Sequence, residues 1–329
     1  MERIRAGTNT YILGRKPPYI LLDTGDGNPE YIPVLERALR ENDRVPPPNG
    51  VYISDVIISH KHPDHHGGLH NVLELLKQMW TRHVPSSSSV ETYTPPRLHK
   101  FASSSKTPDR WDTLLDASLS KIADGLVSIP PASCALSGTP ELHRFHGIKE
   151  GQEFILTGDE STGGSIIRTI HTPGHTDDSI CLYLQADQAL FTFDSVLGHG
   201  TAVFENLSQY MASLQHLLNL NLNDDRAGTT FTKLYPGHGP VVEDGEALIR
   251  QYIAHRLERE EELVRVLGSR DKVENQDQSW TADHLLEKVY PPQVWEMARR
   301  GLLLHLHKLE VDGKVVKSQR EGVDIWTLL

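Results

Sequence analysis

The chain has 329 residues, which is enough to build a sizeable core in one large domain or two modest ones. With 38% hydrophobic and 23% charged residues, it is typical of a globular enzyme rather than a disordered or fibrous protein. Lys and Arg number 33 against 44 Asp and Glu, a net charge of −11 that disfavours extensive non-specific binding to nucleic acid, although it allows a local basic patch.

The cysteine content and the lack of long apolar runs predict where the protein resides. The two cysteines, Cys134 and Cys181, cannot form a disulfide framework and suit a reducing compartment, although a single bridge stays open. No run approaches the roughly 18 apolar residues that a membrane span requires. The first five residues lack the apolar core of a signal peptide. We therefore expect a cytoplasmic protein without a membrane segment.

The N-terminal quarter alternates strand and helix patterns. Apolar runs at 10–13 and 19–22 predict a hairpin, and the spacing of apolar residues over 29–41 predicts a helix. The wholly apolar run 56–58 is typical of a strand that is covered on both faces. It is followed by a helical stripe over 69–76.

Residues 84–145 differ in composition. Runs of serine and pairs of proline interrupt a polar stretch, so we interpret much of it as a surface insertion or loop. A helix is predicted within it near 111–122.

Regular patterns return after this segment as short strands interleaved with helices. The predicted strands are 154–156, 165–170, 179–184, 189–193 and 233–235. The predicted helices are 207–220 and 246–267.

The pattern changes again from about residue 275. Helices are predicted at 281–290 and 293–305. They precede a hairpin with strands at 306–311 and 314–316, turned by Asp312-Gly313, and a further strand at 325–327. Helices followed by a hairpin indicate a small winged-helix-like unit.

A cluster of histidines follows the predicted strand at 56–58. Four metal-binding side chains occur within six residues in the pattern H-x-H-x-D-H, namely His60, His62, Asp64 and His65. They lie between a strand and a helix, and a loop lets them converge instead of alternating between two faces of a strand. Imidazole and carboxylate are the ligands expected at a catalytic zinc site that keeps one position for water.

Three further candidate ligands each follow a predicted strand. They are His175 within Thr172-Pro173-Gly174-His175, Asp194 after Phe193, and His238 within Pro236-Gly237-His238-Gly239. The glycines allow backbone turns that other residues resist. Each site alone is weak evidence, but the ordered set predicts one shared metal site.

The ordered motifs resemble those of the metallo-β-lactamase superfamily. They are Leu22-Asp23-Thr24-Gly25, His60-x-His62-x-Asp64-His65, Gly174-His175-Thr176, Asp194 and Gly237-His238-Gly239. This resemblance implies an α/β fold, the αββα sandwich. The implied catalytic domain covers residues 1–270, with 84–145 as an insertion or loop region, and the winged-helix-like unit covers 275–329.

The resemblance also implies roles for the candidate residues. One metal ion would be bound by His60, His62 and His175. The second ion would be bound by Asp64, His65 and His238. Asp194 would bridge the two ions, and Asp23 would orient the ligands without binding metal. Two zinc ions per chain are expected, and iron or manganese can occupy similar ligand sets.

A two-metal site of this kind would act as a hydrolase. Two ions lower the pKa of a shared water and polarise a carbonyl or phosphoryl oxygen, so no serine or cysteine nucleophile is needed. Asp64 is the candidate acceptor of the water proton, in addition to its role as a ligand.

Further segments resemble the lactamase-beta-2-like branch of the superfamily. They include 7–11, 196–205, 235–240 and 252–260. The branch contains fungal thioesterases that release polyketides from an acyl carrier protein in secondary metabolism, and animal endoribonucleases that cleave single-stranded RNA. The string 196–201 is more similar to the fungal members.

Four functions follow as hypotheses. The first is hydrolysis of an acyl thioester, either a small molecule or a substrate on a carrier protein that docks near Arg299-Arg300. The second is RNA cleavage, which would use basic groups in the C-terminal unit; these are His305, His307, Lys308, Lys314, Lys317 and Arg320. The third is detoxification of a small thioester, as in glyoxalase II. The fourth is a non-catalytic protein that binds metal, which the complete ligand set disfavours.

Overall fold

The computed structural model describes residues 7–41, 47, 49–83, 92–104, 107–158, 164–222, 231–269 and 279–329. The expectations for the first five residues and for the boundary near 270–275 lie outside these ranges.

Two five-stranded sheets form the centre of the protein. The first has the order β1-β2-β3-β4-β5, with β1 antiparallel to β2 and the others parallel. Its strands are β1 (Tyr11–Leu13), β2 (Tyr19–Leu22), β3 (Ile53–Ile58), β4 (Arg97–Phe101) and β5 (Phe145–Ile148). The second sheet has the order β10-β9-β8-β7-β6, antiparallel except for the β9–β10 pair. Its strands are β6 (Glu153–Leu156), β7 (Ser165–His171), β8 (Ile180–Leu184), β9 (Ala189–Phe193) and β10 (Lys233–Pro236).

Helices cover the outer face of each sheet. Those that follow strands of the first sheet are α1 (Tyr31–Glu41), α2 (Pro63–His66), α3 (Leu69–His83) and α4 (Arg110–Leu119). Two helices pack on the second sheet, α5 (Leu207–Leu222) and α6 (Gly245–Leu267). The chain ends with α7 (Ala282–Val289), α8 (Trp295–Val311), β11 (Val315–Arg320) and β12 (Val323–Leu328).

The alternation of side chains along β3 shows why the fold has four layers. Val56 and Ile58 pack in the cluster under α1, α3 and α4, whereas Ile57 faces the opposite way into the cluster between the two sheets. All three side chains are 0% exposed. The all-apolar run therefore reflects burial on both faces, as the sequence predicted. A third cluster lies between the second sheet and α5 and α6, which completes the αββα sandwich.

The prediction that much of 84–145 is a surface insertion or loop is wrong for residues 97–101, which form β4. Strand β4 lies inside the first sheet, paired with β3 on one side and β5 on the other. The predicted helix is confirmed as α4, whose Leu115 and Leu119 are buried in the same cluster as β3. Strand β4 was missed because its sequence, RLHKF, is polar, and its His99 and Lys100 are nevertheless buried.

The C-terminal hairpin is also placed differently from the prediction. Residues 306–311 continue α8 instead of forming a strand, since Leu302, Leu306 and Leu309 form a buried helical stripe. The predicted Asp312-Gly313 turn is the end of that helix, where Gly313 has φ +69°. The hairpin pairs β11 with β12 through Glu321-Gly322, both of which have positive φ, as a tight hairpin turn requires.

Both cysteines are free thiols, so the single bridge that the sequence left open does not form. Throughout the described ranges, no helix combines the length and the apolar character needed to cross a bilayer.

Candidate metal centre

The predicted ligands converge at the strand ends where the two sheets meet. His60 and His62 lie between β3 and α2, as the predicted loop required, whereas Asp64 and His65 lie in α2 itself. The other three candidate ligands follow β7, β9 and β10. Together they form two groups, and within each group the ligand atoms lie within 4.8 Å of one another. The first group is His60, His62, His175 and Asp194. The second group is Asp64, His65 and His238.

Three imidazole nitrogens of the first group point at a common centre. His60 Nε2 lies 3.1 Å from His62 Nδ1 and 3.2 Å from His175 Nε2, and the last two atoms are 2.9 Å apart. Ligands at roughly 2.0–2.1 Å from a tetrahedral zinc ion would be separated by about 3.3 Å. The spacing therefore matches a metal site.

The hydrogen bonds of the rings leave the inward nitrogens unprotonated. His175 Nδ1 donates to the Val203 carbonyl at 2.7 Å, which leaves Nε2 with a lone pair. Ser59 Oγ donates to Asp23 Oδ2 at 2.8 Å, so the 2.9 Å contact with His60 Nδ1 requires the ring N–H as donor. His60 therefore also presents the lone pair of Nε2 to the centre.

Asp194 lies between the two groups. Its Oδ1 is 3.3 Å from His65 Nε2, and its Oδ2 is 3.6 Å from His175 Nε2 and 3.4 Å from His238 Nε2. In the second group, Asp64 Oδ2 is 3.2 Å from His238 Nε2 and 3.5 Å from His65 Nε2. This placement suits one carboxylate shared by two ions.

Asp23 stands behind the ligands, at the end of β2. Its fully buried carboxylate accepts from His65 Nδ1 at 2.7 Å and from the Ser59 amide at 2.8 Å. Because His65 Nδ1 is the donor, Nε2 is directed to the centre. Asp23 thus contacts His65 directly and His60 through Ser59, and its role in orienting the ligands stays a prediction.

The protonation states suit cation binding. Burial lowers the pKa of His60 and His175 and lowers that of His62 to about 3, so all three rings are neutral near pH 7. Burial opposes ionisation of Asp64, but the hydrogen bond from His238 and the charge of His65 lower its pKa to about 2.

The second group attracts positive charge. Burial disfavours a charged His65, but Asp194 and Asp23 raise its pKa well above the usual value, and hydrogen bonds to Asp194 and Asp64 raise the pKa of His238 to about 10. His65 Nε2 and Asp194 Oδ1 are both buried without a hydrogen-bond partner. Such orphaned atoms are costly unless a ligand satisfies them, and a divalent cation would do so. The donor set therefore fits a pair of metal ions.

Backbone geometry explains the glycines next to the candidate ligands and the conformation of Phe193 before Asp194. A Cβ on Gly237 would lie 2.3 Å from Asp194 Oδ1, so this glycine provides space, whereas Gly174 and Gly239 have the positive φ expected of turns. Phe193, which is 1% exposed, takes a φ of +46° immediately before Asp194. For a bulky residue this conformation is strained, and it directs the carboxylate towards the ligands.

The site opens into a cavity of about 870 Å³. Beyond the ligands, the residues that line it include Gly7, Thr8, Asp26, Asn28, Trp111 and Val203. Trp111 and Val203 were missed from the sequence. A tryptophan within the polar segment 84–145 does not indicate a metal site. Val203 contacts His175 through its backbone carbonyl, which every residue possesses, so the sequence could not indicate this role.

The chain belongs to the metallo-beta-lactamase superfamily, whose family model matches residues 3–238. A second model, the beta-lactamase associated winged helix domain, matches residues 281–326. The fold class and the family expected from the sequence are thereby confirmed.

Two curated relatives cover most of the chain. The Beta-lactamase-like protein 2 homolog of Caenorhabditis elegans is 31% identical over 94% of this chain and 80% of its own length. An atrochrysone carboxyl ACP thioesterase of Emericella nidulans is 29% identical over 97% of this chain and 80% of its own length.

Solved structures share the fold. A beta-lactamase domain protein from Burkholderia ambifaria superposes with a TM-score of 0.63 at 18% identity, covering 98% of this chain and 87% of that one. A metallo-beta-lactamase family protein from Thermus thermophilus superposes with a TM-score of 0.57 at 20% identity, covering 98% and 94%.

Proposed function

We propose that this protein is a dinuclear metal-dependent hydrolase that cleaves an acyl thioester, for example a polyketide held on an acyl carrier protein in secondary metabolism. The observation that carries the proposal is the set of seven candidate ligands, with neutral imidazoles in the first group and an Asp194 carboxylate that lies between the groups and whose buried Oδ1 has no hydrogen-bond partner. The similarity to fungal ACP thioesterases supports the thioester as substrate. The free thiols agree with a cytoplasmic location.

Two ions would be held by the two residue groups, with His60, His62 and His175 on one and Asp64, His65 and His238 on the other. Bound zinc, iron or manganese would supply a water of low pKa and polarise the scissile carbonyl. The water oxygen bonds to the carbonyl carbon, the C–S bond breaks, and the thiolate leaves. Asp64, whose side chain is 42% exposed towards the cavity, accepts the water proton at Oδ2, where Thr8 Oγ1 also donates at 3.3 Å.

The RNA hypothesis finds less support in the C-terminal unit. His305 is buried, and Lys308 and Lys317 form ion pairs at 2.7 Å with Asp312 and Asp324. Paired cations contribute little to binding a phosphate backbone. Docking of an acidic carrier near Arg299 would have to compete with the Arg299–Asp283 ion pair.

The test combines metal analysis with two substrates. Purified protein is expected to hold close to two ions per chain and to cleave an acyl N-acetylcysteamine thioester until a chelator is added. Asp194→Asn and His62→Ala should each abolish turnover and keep the circular dichroism spectrum, while the exposed His143→Ala control stays active. Cleavage of single-stranded RNA alone would favour the nuclease, and a metal-free inactive protein would favour a non-catalytic role. Full activity in both ligand variants would refute the two-metal assignment.

A further inference from the structure

The start of α4 is held against the metal-binding loop by a buried lysine. Lys61 lies between two candidate ligands, and its side chain is 2% exposed. Its Nζ is 2.9 Å from Asp109 Oδ2 and 3.1 Å from Asp177 Oδ1, with Asp112 Oδ2 at 3.8 Å. A buried ammonium is tolerated only when it is paired, so these contacts fix where α4 begins.

The first turn of α4 is itself well determined. Asp109 caps the helix by accepting from the Trp111 amide at 2.7 Å and the Asp112 amide at 3.0 Å, and Asp112 accepts in return from the Asp109 amide at 2.9 Å. The position of Trp111 is therefore set by both a capping box and the Lys61 ion pairs.

This arrangement places an indole beside a candidate ligand. The rings of Trp111 and His62 meet edge to face with centroids 4.7 Å apart, and the Arg110 guanidinium lies 3.8 Å from the indole centroid. Trp111 is half-buried and lines the cavity. Val203, which is 67% exposed, lines the same cavity, and its carbonyl holds His175.

The cavity lining has polar groups, with Thr8 beside Asp64 of the second group, and apolar groups beside His62 and His175 of the first group; we call these the polar and the apolar wall. Thr8, Asp26 and Asn28 provide polar groups, whereas Trp111 and Val203 provide apolar surface. Binding of an apolar group over an exposed valine and a half-exposed tryptophan is favourable, because it removes apolar surface from water. The polar wall suits the thiol half of a thioester substrate, because that half contains an amide group. The apolar wall is then available to the acyl half.

We infer that Trp111 and Val203 form the subsite that binds the acyl group of the substrate, and that this subsite selects long or planar apolar acyl groups over acetyl. The inference rests on the proposed thioesterase function. Trp111 is a specificity-determining residue here, and Lys61 is a positioning residue that acts through α4.

The experiment measures kcat/KM for acetyl, butyryl, hexanoyl, octanoyl and benzoyl N-acetylcysteamine thioesters. For the wild type, kcat/KM should rise with acyl length by up to about fourfold per buried methylene. In Trp111→Ala the loss should grow with length, from a few-fold for acetyl to tenfold or more for octanoyl, with the metal content unchanged. Trp111→Phe should restore most of the dependence, and Ile155→Ala, a 72% exposed control on β6, should keep it.

Binding of N-(2-acetamidoethyl)octanamide, the amide analogue in which N–H replaces the sulfur of the octanoyl thioester, is measured by calorimetry on metal-loaded protein and separates the two proposals. If the wild type cleaves no thioester but binds this amide at least tenfold more tightly than Trp111→Ala does, the thioesterase function is wrong and the apolar subsite stands. If Trp111→Ala binds the amide as tightly as the wild type, or loses equal activity on every acyl length, the subsite is refuted.

Discussion

Single residues behind the ligands determine how the candidate metal site is built. The ligand rings are oriented by groups that bind no metal, such as the Val203 carbonyl on His175 and the Asp23 carboxylate on His65. Each of these contacts fixes a tautomer, and the tautomer decides which nitrogen offers its lone pair. Metal affinity should therefore depend on residues that never touch the metal.

Asp23→Asn tests this dependence. An amide can accept from His65 Nδ1 only in one orientation, and it lacks the charge that holds the ring and Ser59. We expect metal affinity to fall by about 10–100-fold, measured by competition with a chromophoric chelator. The control is Asp26→Asn, an exposed carboxylate that accepts from the Asn28 amide. Equal affinities for Asp23→Asn and the wild type would contradict the orienting role.

At the scale of elements, β4 is joined to β3 by a buried polar network as well as by backbone pairing. Asp55 on β3 accepts from Arg97 Nε at 2.7 Å and from His99 Nε2 at 2.7 Å, both on β4, and from Ser54 Oγ at 2.7 Å. Its side chain is 4% exposed. Burial alone would raise the pKa of Asp55, but the bonds from His99 and Arg97 lower it below the usual value. This network explains how a polar strand can lie inside the sheet.

Asp55→Asn should destabilise the protein in a pH-dependent way. Because the folded-state pKa is depressed, the carboxylate contributes its full stability above the unfolded value of about 3.9, and the contribution is lost as pH falls through the folded pKa. We expect a loss of about 3 kcal/mol at neutral pH, since half-exposed Arg97 keeps some solvation, and a smaller difference in acid.

Urea unfolding at pH 7 and at roughly pH 2.5, well below the unfolded pKa, would measure the difference. Asp124→Asn is the matched control, because that carboxylate is 99% exposed beside Arg144 and should change stability by less than about 1 kcal/mol. A loss for Asp55→Asn that is the same at both pH values would show that the charge of Asp55 is not the cause.

Over the whole molecule, α6 joins the αββα sandwich to the C-terminal unit. Ile249 and Tyr252 near its start pack under the second sheet, whereas Leu263 and Leu267 near its end share a core with α7, α8 and β12. Tyr252 Oη also donates to the Gly200 carbonyl in the loop that carries Val203. One continuous helix therefore contributes to two cores, and they should unfold together.

Leu302→Ala and Leu303→Ala form a matched pair for this prediction. Leu302 is 0% exposed in the C-terminal core, and its neighbour Leu303 is 37% exposed. The first should cost about 2–5 kcal/mol and the second within about 0.5 kcal/mol. Calorimetry of Leu302→Ala should show one transition shifted to lower temperature. A separate early transition would mean that the C-terminal unit unfolds independently of the sandwich.

The amino-acid sequence determined by itself those features that depend on local pattern. Periodic apolar residues predicted the strands of both sheets except β4 and β5, and the helices α1, α3, α5 and α6, because burial on one or two faces leaves a direct record in residue spacing. The candidate ligands were predicted for a similar reason, since imidazole and carboxylate carry their chemistry in the side chain.

The tertiary structure decided what depends on contacts between distant segments. Strand β4 stays in the sheet because Asp55 pairs its polar side chains, and α8 extends to Val311 because its leucine stripe meets α6 and α7. The place of Trp111 beside His62 depends on Lys61 meeting Asp109 and Asp177, carboxylates 48 and 116 residues further along the chain. Such ion pairs produce no periodic pattern in the sequence. The free energy of burying a charge depends on its neighbours in the folded structure and not on its neighbours along the chain.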